Sequence, residues 1–256
     1  MLLGIDFGTS SVKLGLFDRQ GLLLGTSTGF LDTSQPAPGQ HELNPEKTWS
    51  LFVDCLQKIS GDERLSAVEA VGVTGTSQIN FWGEDQQAVR PGILYGDERL
   101  PSRKKTERIL EKVSAADIGA VFGLNRPSEN QIEIILRSLP ISKWIWLWET
   151  DRQAFQETKW ITTTSHGFLA SRLTGTLVGD LFDEEINQQI GQIFDLSIPT
   201  ETFPDPPGII IGRITTAASK ETGLPKDTPV ILGGIDSQMS LLGGGVTRAG
   251  QMLNQS

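Results

Sequence analysis

The chain has a single cysteine, Cys55, so it can form no disulfide within itself and no thiolate metal cluster, a usage that fits a reducing compartment. Phe52, Leu56 and Ile59 stand at helical spacing around that thiol and mark it as an inert core group. Histidine is nearly as scarce: His41 and His166 lie far apart with no ligand-like spacing around either, and neither is expected to be catalytic. No apolar run reaches the roughly 18 residues of a membrane span. The N-terminus has no signal-peptide pattern, since Met1 leads to Asp6 within one strand's length, and the expected location is the cytoplasm. Basic residues are in the minority, 22 Lys and Arg against 31 Asp and Glu, for a net charge of -9. Nucleic acid and anionic membranes both require clustered cations, so neither is an expected partner. The one basic run, Arg103-Lys104-Lys105, sits among Glu98, Glu107 and Glu111 and reads as a solvated helix face. Neither a GxxxxGK[ST] loop nor a GxGxxG turn is present, which disfavours a P-loop or Rossmann nucleotide site.

What is present suits a packed globular protein. Of 256 residues 38% are hydrophobic, and the 28 glycines bring the apolar share to about half, enough for one large or two small domains. Residues 2–6, 12–17 and 22–26 read as three strands joined by short turns, an antiparallel meander. Asn44 as N-cap and Pro45 at the first helical position open a helix that carries Trp49, Phe52 and Leu56 and stops at Gly61. Residues 68–74 form the next strand, and the helical crossover before it places it in the same sheet. The turn Gly75-Thr76-Ser77-Gln78 follows. Further on, residues 101–113, 165–173, 183–190 and 215–222 read as helices, 160–164 and 229–232 as strands, and 143–148 as either. Pro204, Pro206 and Pro207 mark the best internal boundary, and Gly233-Gly234-Ile235-Asp236 a terminal turn. The expected fold is α/β, a mixed sheet flanked by helices.

The first constellation with chemical content runs from Gly4 to Lys13. A strand-end carboxylate, Asp6, precedes Gly8, Thr9, Ser10 and Ser11. Glycine allows close backbone approach, the hydroxyls and amides suit phosphate oxygens, a carboxylate holds Mg²⁺ through water, and Lys13 adds positive charge. A plain hairpin turn with an Asp of no special role is the competing reading.

These residues resemble the first phosphate-binding motif of the FGGY family of carbohydrate kinases, relatives of actin and hexokinase. The resemblance continues in order through Glu42-Leu43-Asn44-Pro45 with Trp49, Gly72-Val73-Thr74-Gly75, the stretch from Ile93 to Arg99, the stretch from Leu169 to Gly175, and Gly233-Gly234-Ile235-Asp236. It implies a ribonuclease H-like domain over residues 1–256, the N-terminal half of an ATP- and Mg²⁺-dependent enzyme that phosphorylates a sugar or polyol. By the same resemblance Asp236 is the general base, Asp6 holds the metal, Gly8, Thr9, Ser10, Ser11 and Lys13 meet the nucleotide phosphates, and Thr76, Ser77, Gln78, Tyr95, Asp97, Arg99 and Ser237 contact substrate. For Asp236 the competing role is a helix N-cap; for Asp97 and Arg99 it is a surface salt bridge on a loop. The chain departs from the family where Thr76-Ser77-Gln78 replaces the Gln-Met-His of xylulose kinases or the Gln-Arg-Glu of glycerol kinases, and where Tyr95 replaces Trp. The Trp144, Trp146 and Trp148 triplet is expected in a packed helix.

The family's C-terminal nucleotide-binding domain is absent from these residues, so the chain alone is expected to be inactive or weak. The surface which that domain covers should be apolar and exposed, inviting self-association as a homodimer. The alternative is a non-catalytic sugar-binding or regulatory protein derived from such a kinase. An actin-like assembly or chaperone ATPase ranks last, because it leaves the segment from Tyr95 to Arg99 without a purpose.

Overall fold

The structure, a computed structural model, describes residues 1–59, 62–178, 184–200, 207–248 and 250–252. The expected helix stop at Gly61, the start of the 183–190 helix and the prolines at 204 and 206 lie outside them. The chain opens with the meander of β1 (Leu2–Phe7), β2 (Ser11–Phe17) and β3 (Leu23–Phe30), the last longer than its sequence pattern suggests. Alternation sorts β1 into two faces: Leu3, Ile5 and Phe7 are buried, whereas Gly4 and Asp6 face the other way. Two short strands follow, β4 (Thr33–Ser34) and β5 (Glu42–Leu43), and then α1 (Pro45–Ile59). Asn44 caps α1 as expected, its Oδ1 accepting from the Lys47 N–H at 3.0 Å. The helix buries Trp49, Phe52, Cys55 and Leu56, and the Cys55 thiol is a core group.

After α2 (Asp62–Leu65) the chain forms β6 (Ala70–Gly75), parallel to β1, and turns at Thr76 into β7 (Ser77–Trp82). Ser77 and Gln78 therefore sit on a strand, not in the turn that the sequence suggested. Next come β8 (Gly92–Leu94) and the helices α3 (Arg103–Lys112), α4 (Ala115–Ala120), α5 (Glu129–Ser138), α6 (Pro140–Thr150) and α7 (Arg152–Glu157). Residues 143–148 are thereby settled as helix. The order closes with β9 (Trp160–Thr164), α8 (Ser165–Thr174), α9 (Glu184–Gln192), β10 (Ile210–Arg213), α10 (Thr216–Thr222), β11 (Pro229–Ile235) and α11 (Asp236–Gly243). Gly233 to Ile235 extend the last strand instead of forming its turn.

A mixed six-stranded sheet of order β10-β11-β6-β1-β2-β3 has β1, β6 and β11 parallel at its centre. An antiparallel five-stranded sheet of order β4-β5-β8-β7-β9 stands next to it in the chain's path. Each has its own core. The first gathers Leu3, Ile5, Leu14, Phe52, Val71 and Phe168; the second gathers Phe81, Ile93, Ile109, Ile135, Ile145 and Ile161. The two sheets are joined at Thr76, where Ser165 at the start of α8 ties three elements together. Its Oγ donates to the Phe7 carbonyl at 2.6 Å and accepts from the Thr76 N–H at 2.9 Å. Gly75 makes that approach possible, since a Cβ there would lie 2.6 Å from the Phe7 carbonyl oxygen and closer still to Ser165 Oγ.

Candidate active site

Phe7 is level with Gly75 and Gly75 with Ile235, so β1, β6 and β11 end side by side. Asp6 lies one residue before that line and Asp236 one residue after it. The two residues thus stand at the same edge of one sheet, on strands two spacings or roughly 10 Å apart. On the face that carries Asp6, its neighbours are Lys13 on β2 and Thr74 on β6. Lys13 Nζ donates to Asp6 Oδ2 at 3.3 Å, and Thr74 Oγ1 donates to the Gly234 carbonyl at 2.5 Å. Asp6 Oδ1 is buried with no hydrogen-bond partner. A cleft of about 630 Å³ runs over this face, lined by Asp6, Lys13, Thr74, Gly233 and Met239 among others.

The turn beyond Asp6 is closed by the Gly8 N–H donating to the Ser11 carbonyl at 3.0 Å. Thr9 and Ser10 are exposed there, while Ser11 is buried on β2. Asp236 is the first residue of α11, with Ile235 in the capping position, so it is not the N-cap that the sequence offered as an alternative. Its Oδ1 accepts from the Ser237 N–H at 2.6 Å. Ser237 is exposed.

A second cavity, of about 190 Å³, opens where the chain leaves β6 for β7. Ser77, Gln78, Tyr95 and Asp97 line it; Thr76 and Arg99 do not. Gln78 is 1% exposed, its Nε2 donating to Asn80 Oδ1 at 2.6 Å and its Oε1 left without a partner. Tyr95 is 62% exposed, with its ring free to meet a ligand. Arg137 and Ser138 from α5, Lys143 from α6 and Thr163 from β9 complete the polar lining.

Asp97 and Arg99 are not a surface pair. The Asp97 side chain is fully buried and accepts from the Arg99 guanidinium at 2.7 Å, from Lys143 Nζ at 3.2 Å and from the His41 N–H at 2.8 Å. Arg99 also reaches Glu42 at 2.6 Å, and its guanidinium lies over the Trp146 ring. Burial pushes the Asp97 carboxyl up, but the Arg99 hydrogen bonds, the Lys143 charge and two backbone N–H groups outweigh it and hold the carboxyl at about 2. Burial lowers the Lys143 ammonium to about 8 against the pull of Asp97. Lys143 went unnoticed in the sequence, although a lone cation in the apolar stretch between Ile141 and Trp148 signals a paired buried charge. His166, beneath the sheet edge on α8, is pushed by burial to about 4 against a hydrogen bond with the Gly75 backbone. His41 lies apart from both carboxylates of the sheet edge, its Nδ1 3.3 Å from Gln35 Nε2. Trp144 is a core residue, its ring stacked 4.1 Å from Phe155.

The profile of the N-terminal domain of the FGGY family of carbohydrate kinases matches residues 1–243. The chain belongs to this family. An autoinducer-2 kinase from Klebsiella pneumoniae is 26% identical over 98% of the chain and 48% of its own length, and the xylulose kinase of Escherichia coli K12 is 23% identical over 99% and 52%. The chain spans about half the length of the curated relatives it matches. Among solved structures, xylulose kinase from Rhodospirillum rubrum superposes with a TM-score of 0.80 at 20% identity, covering 97% of this chain and 51% of that one. Plasmodium falciparum glycerol kinase with ADP gives 0.70 at 14% identity, over 96% and 50%. The FGGY chain thus has the fold of the actin and hexokinase-type sugar kinases, as its motifs implied. Among the described residues no helix is long and apolar enough to cross a membrane.

Proposed function

We propose that this FGGY chain is the sugar- or polyol-binding half of an ATP-dependent carbohydrate kinase. The observation that supports it is the placement of Asp6 and Asp236 at one edge of one sheet, with a polar cavity at Ser77 and Gln78 two residues past the same edge. Asp236 accepts the proton of the substrate hydroxyl. Phosphoryl transfer has a loose transition state in which that proton leaves late, so an ordinary carboxylate suffices and alignment supplies most of the rate. Ser77, Gln78 and Tyr95 orient the substrate, with Thr76, Asp97, Arg99 and Ser237 shaping the site around them.

The residues present fit a hydrated Mg²⁺ that accompanies the nucleotide. Asp6 offers a buried, unpartnered Oδ1, and the Thr9 and Ser10 hydroxyls stand just beyond it. No cluster of three metal-ligating side chains occurs among the described residues, so most ligands would be water and phosphate oxygens. ATP with Mg²⁺ supplies the transferable phosphoryl group. Lys13 and the Gly8 to Ser11 turn would hold its phosphates, and Asp6 would hold the ion through its water shell. A C-terminal domain, of the kind the relatives' greater length suggests, would contribute the adenosine site and close over the cleft.

In a protein that carries both halves, Asp236→Asn is expected to lower phosphorylation across a panel of ketoses and polyols by about 10²–10⁴-fold while leaving sugar binding in place. Unchanged turnover would remove Asp236 from the chemistry. The replacement of the family's usual substrate residues by Ser77 and Gln78 favours a second reading, a non-catalytic sugar-binding or regulatory protein; that reading requires binding without turnover in the unsubstituted protein.

A further inference from the structure

β3 is the outermost strand on one side of the first sheet. Proteins blunt such lateral margins with charge, proline or a covering segment, because their unpaired N–H and C=O groups template pairing with another chain. Leu23–Phe30 carries no charged residue and no proline, and Phe30 is 81% exposed. The Leu31 N–H donates to the Ser10 carbonyl, so by alternation the backbone groups of Gly29 and Ser27 point to β2 and those of Phe30, Thr28 and Thr26 point away from it. Among the described residues no hydrogen bond reaches Thr26, Thr28 or Phe30 from that open side. Leu24 has a partner there, its carbonyl accepting from Arg64 Nη1 at 3.3 Å.

The residues of this margin run alike in both directions from Ser27: Thr26 and Thr28, Gly25 and Gly29, Leu24 and Phe30, Leu23 and Leu31. An antiparallel copy related by a two-fold axis through Ser27 therefore sets threonine against threonine, glycine against glycine, and leucine against phenylalanine or leucine. The backbone agrees. Thr26 opposes Thr28 of the second copy and both turn their N–H and C=O outward, while the Leu24 carbonyl keeps a second lone pair for the Phe30 N–H of the copy. A register shifted by one residue would oppose outward groups to inward ones, and a shift of two would part the glycine and the leucine–phenylalanine pairs. We infer that β3 is a homodimer seam: two copies of this chain pair antiparallel over residues 24–30 and join their first sheets into one, with Phe30 of each against Leu24 of the other. Neither Asp6 nor Asp236 takes part, so the seam stands or falls separately from the kinase reading.

The test is site-directed cross-linking. In this register Ser27 and its copy form a pair without hydrogen bonds between them, with Cα atoms roughly 4.5 Å apart, inside the range that a disulfide spans. Thr28 and its copy are diagonal neighbours at roughly 7–8 Å, outside it. Each position is changed to cysteine in a Cys55→Ala background, which leaves no other thiol. Under mild oxidation Ser27→Cys should give the linked dimer about tenfold faster than Thr28→Cys, although Ser27 is buried and Thr28 exposed. Adding Thr26→Lys and Thr28→Lys to Ser27→Cys sets cation against cation and should abolish the link, whereas Thr26→Glu with Thr28→Lys sets opposite charges together and should keep it. Leu23→Lys, which places a cation against Leu31 of the copy, should slow it as well. No link at position 27, a faster one at 28, or a link indifferent to both charge sets would overturn the seam. In the unsubstituted chain, amide exchange at Thr26 and Thr28 should slow by about tenfold between dilute and concentrated solution, because a second copy supplies the acceptors those N–H groups lack. Exchange independent of concentration would overturn the seam whatever the cysteine variants do.

Discussion

At Asp97 the His41 N–H, the Arg99 N–H, the Arg99 guanidinium and the Lys143 ammonium converge on one carboxylate. Asp97→Ala leaves Lys143 as an uncompensated buried charge and Arg99 with Glu42 as its one remaining carboxylate partner, and should cost roughly 3–5 kcal/mol of stability, read from urea unfolding at neutral pH. Because the Asp97 carboxyl titrates at about 2, below its ordinary 3.8, its contribution is complete above pH 3.8 and is lost as pH falls toward 2. His166 acts in a higher window. Its imidazole is held neutral down to about pH 4 where 6.5 is ordinary, so the unfolded chain binds the extra proton and stability declines from pH 6.5 to 4. His166→Gln should flatten that limb of the urea midpoint against pH and leave the Asp97 limb unchanged. None of this was visible in sequence, where Asp97 and Arg99 are two residues apart on an irregular segment and Glu42 and Lys143 are remote. Their pairing is a product of folding.

The element that sets the site is the passage from β6 to β7. Gly75→Ala would drive a methyl group into the Phe7 carbonyl and Ser165 Oγ, at an expected cost of about 1–3 kcal/mol. Amide exchange at Thr76, whose N–H bonds to both groups, should accelerate more than at Val71 in mid-strand; equal acceleration would mean that the tie is not local. The meander was legible because one covered face imposes alternation, and α1 because Asn44 and Pro45 announce it. β7 was missed for the opposite reason. Its residues from Gln78 to Trp82 are all buried, both faces being covered, so no period of two appears and Gln78 and Asn80 pass for turn residues. α6 was ambiguous because burial on most sides removes the polar stripe that marks a helix.

At the scale of the molecule, among the described residues, the face of the first sheet that carries Asp6 has α11 against β6 and β11 but no counterpart of the cover that its other face has from α1 and α8. Gly4, Gly15 and Gly72 leave it shallow, and Leu23 and Leu242, 49% and 55% exposed, border it. A C-terminal domain is the proposed cover, so the chain by itself should self-associate through this face. Sedimentation should show an average mass that rises with concentration, and Leu23→Lys with Leu242→Lys should return it to the monomer value. An unchanged mass distribution in the double variant would place any association elsewhere. The amino-acid sequence by itself determined the family, the opening meander, the first helix and the two strand-end carboxylates, because each depends on spacing within a few residues along the chain. The tertiary structure alone decided that those carboxylates share one sheet edge, that Asp97 is a buried hub, and that Gln78 and Arg137 border one cavity. These are meetings between residues dozens to hundreds of positions apart, and only strand order and burial can bring them together.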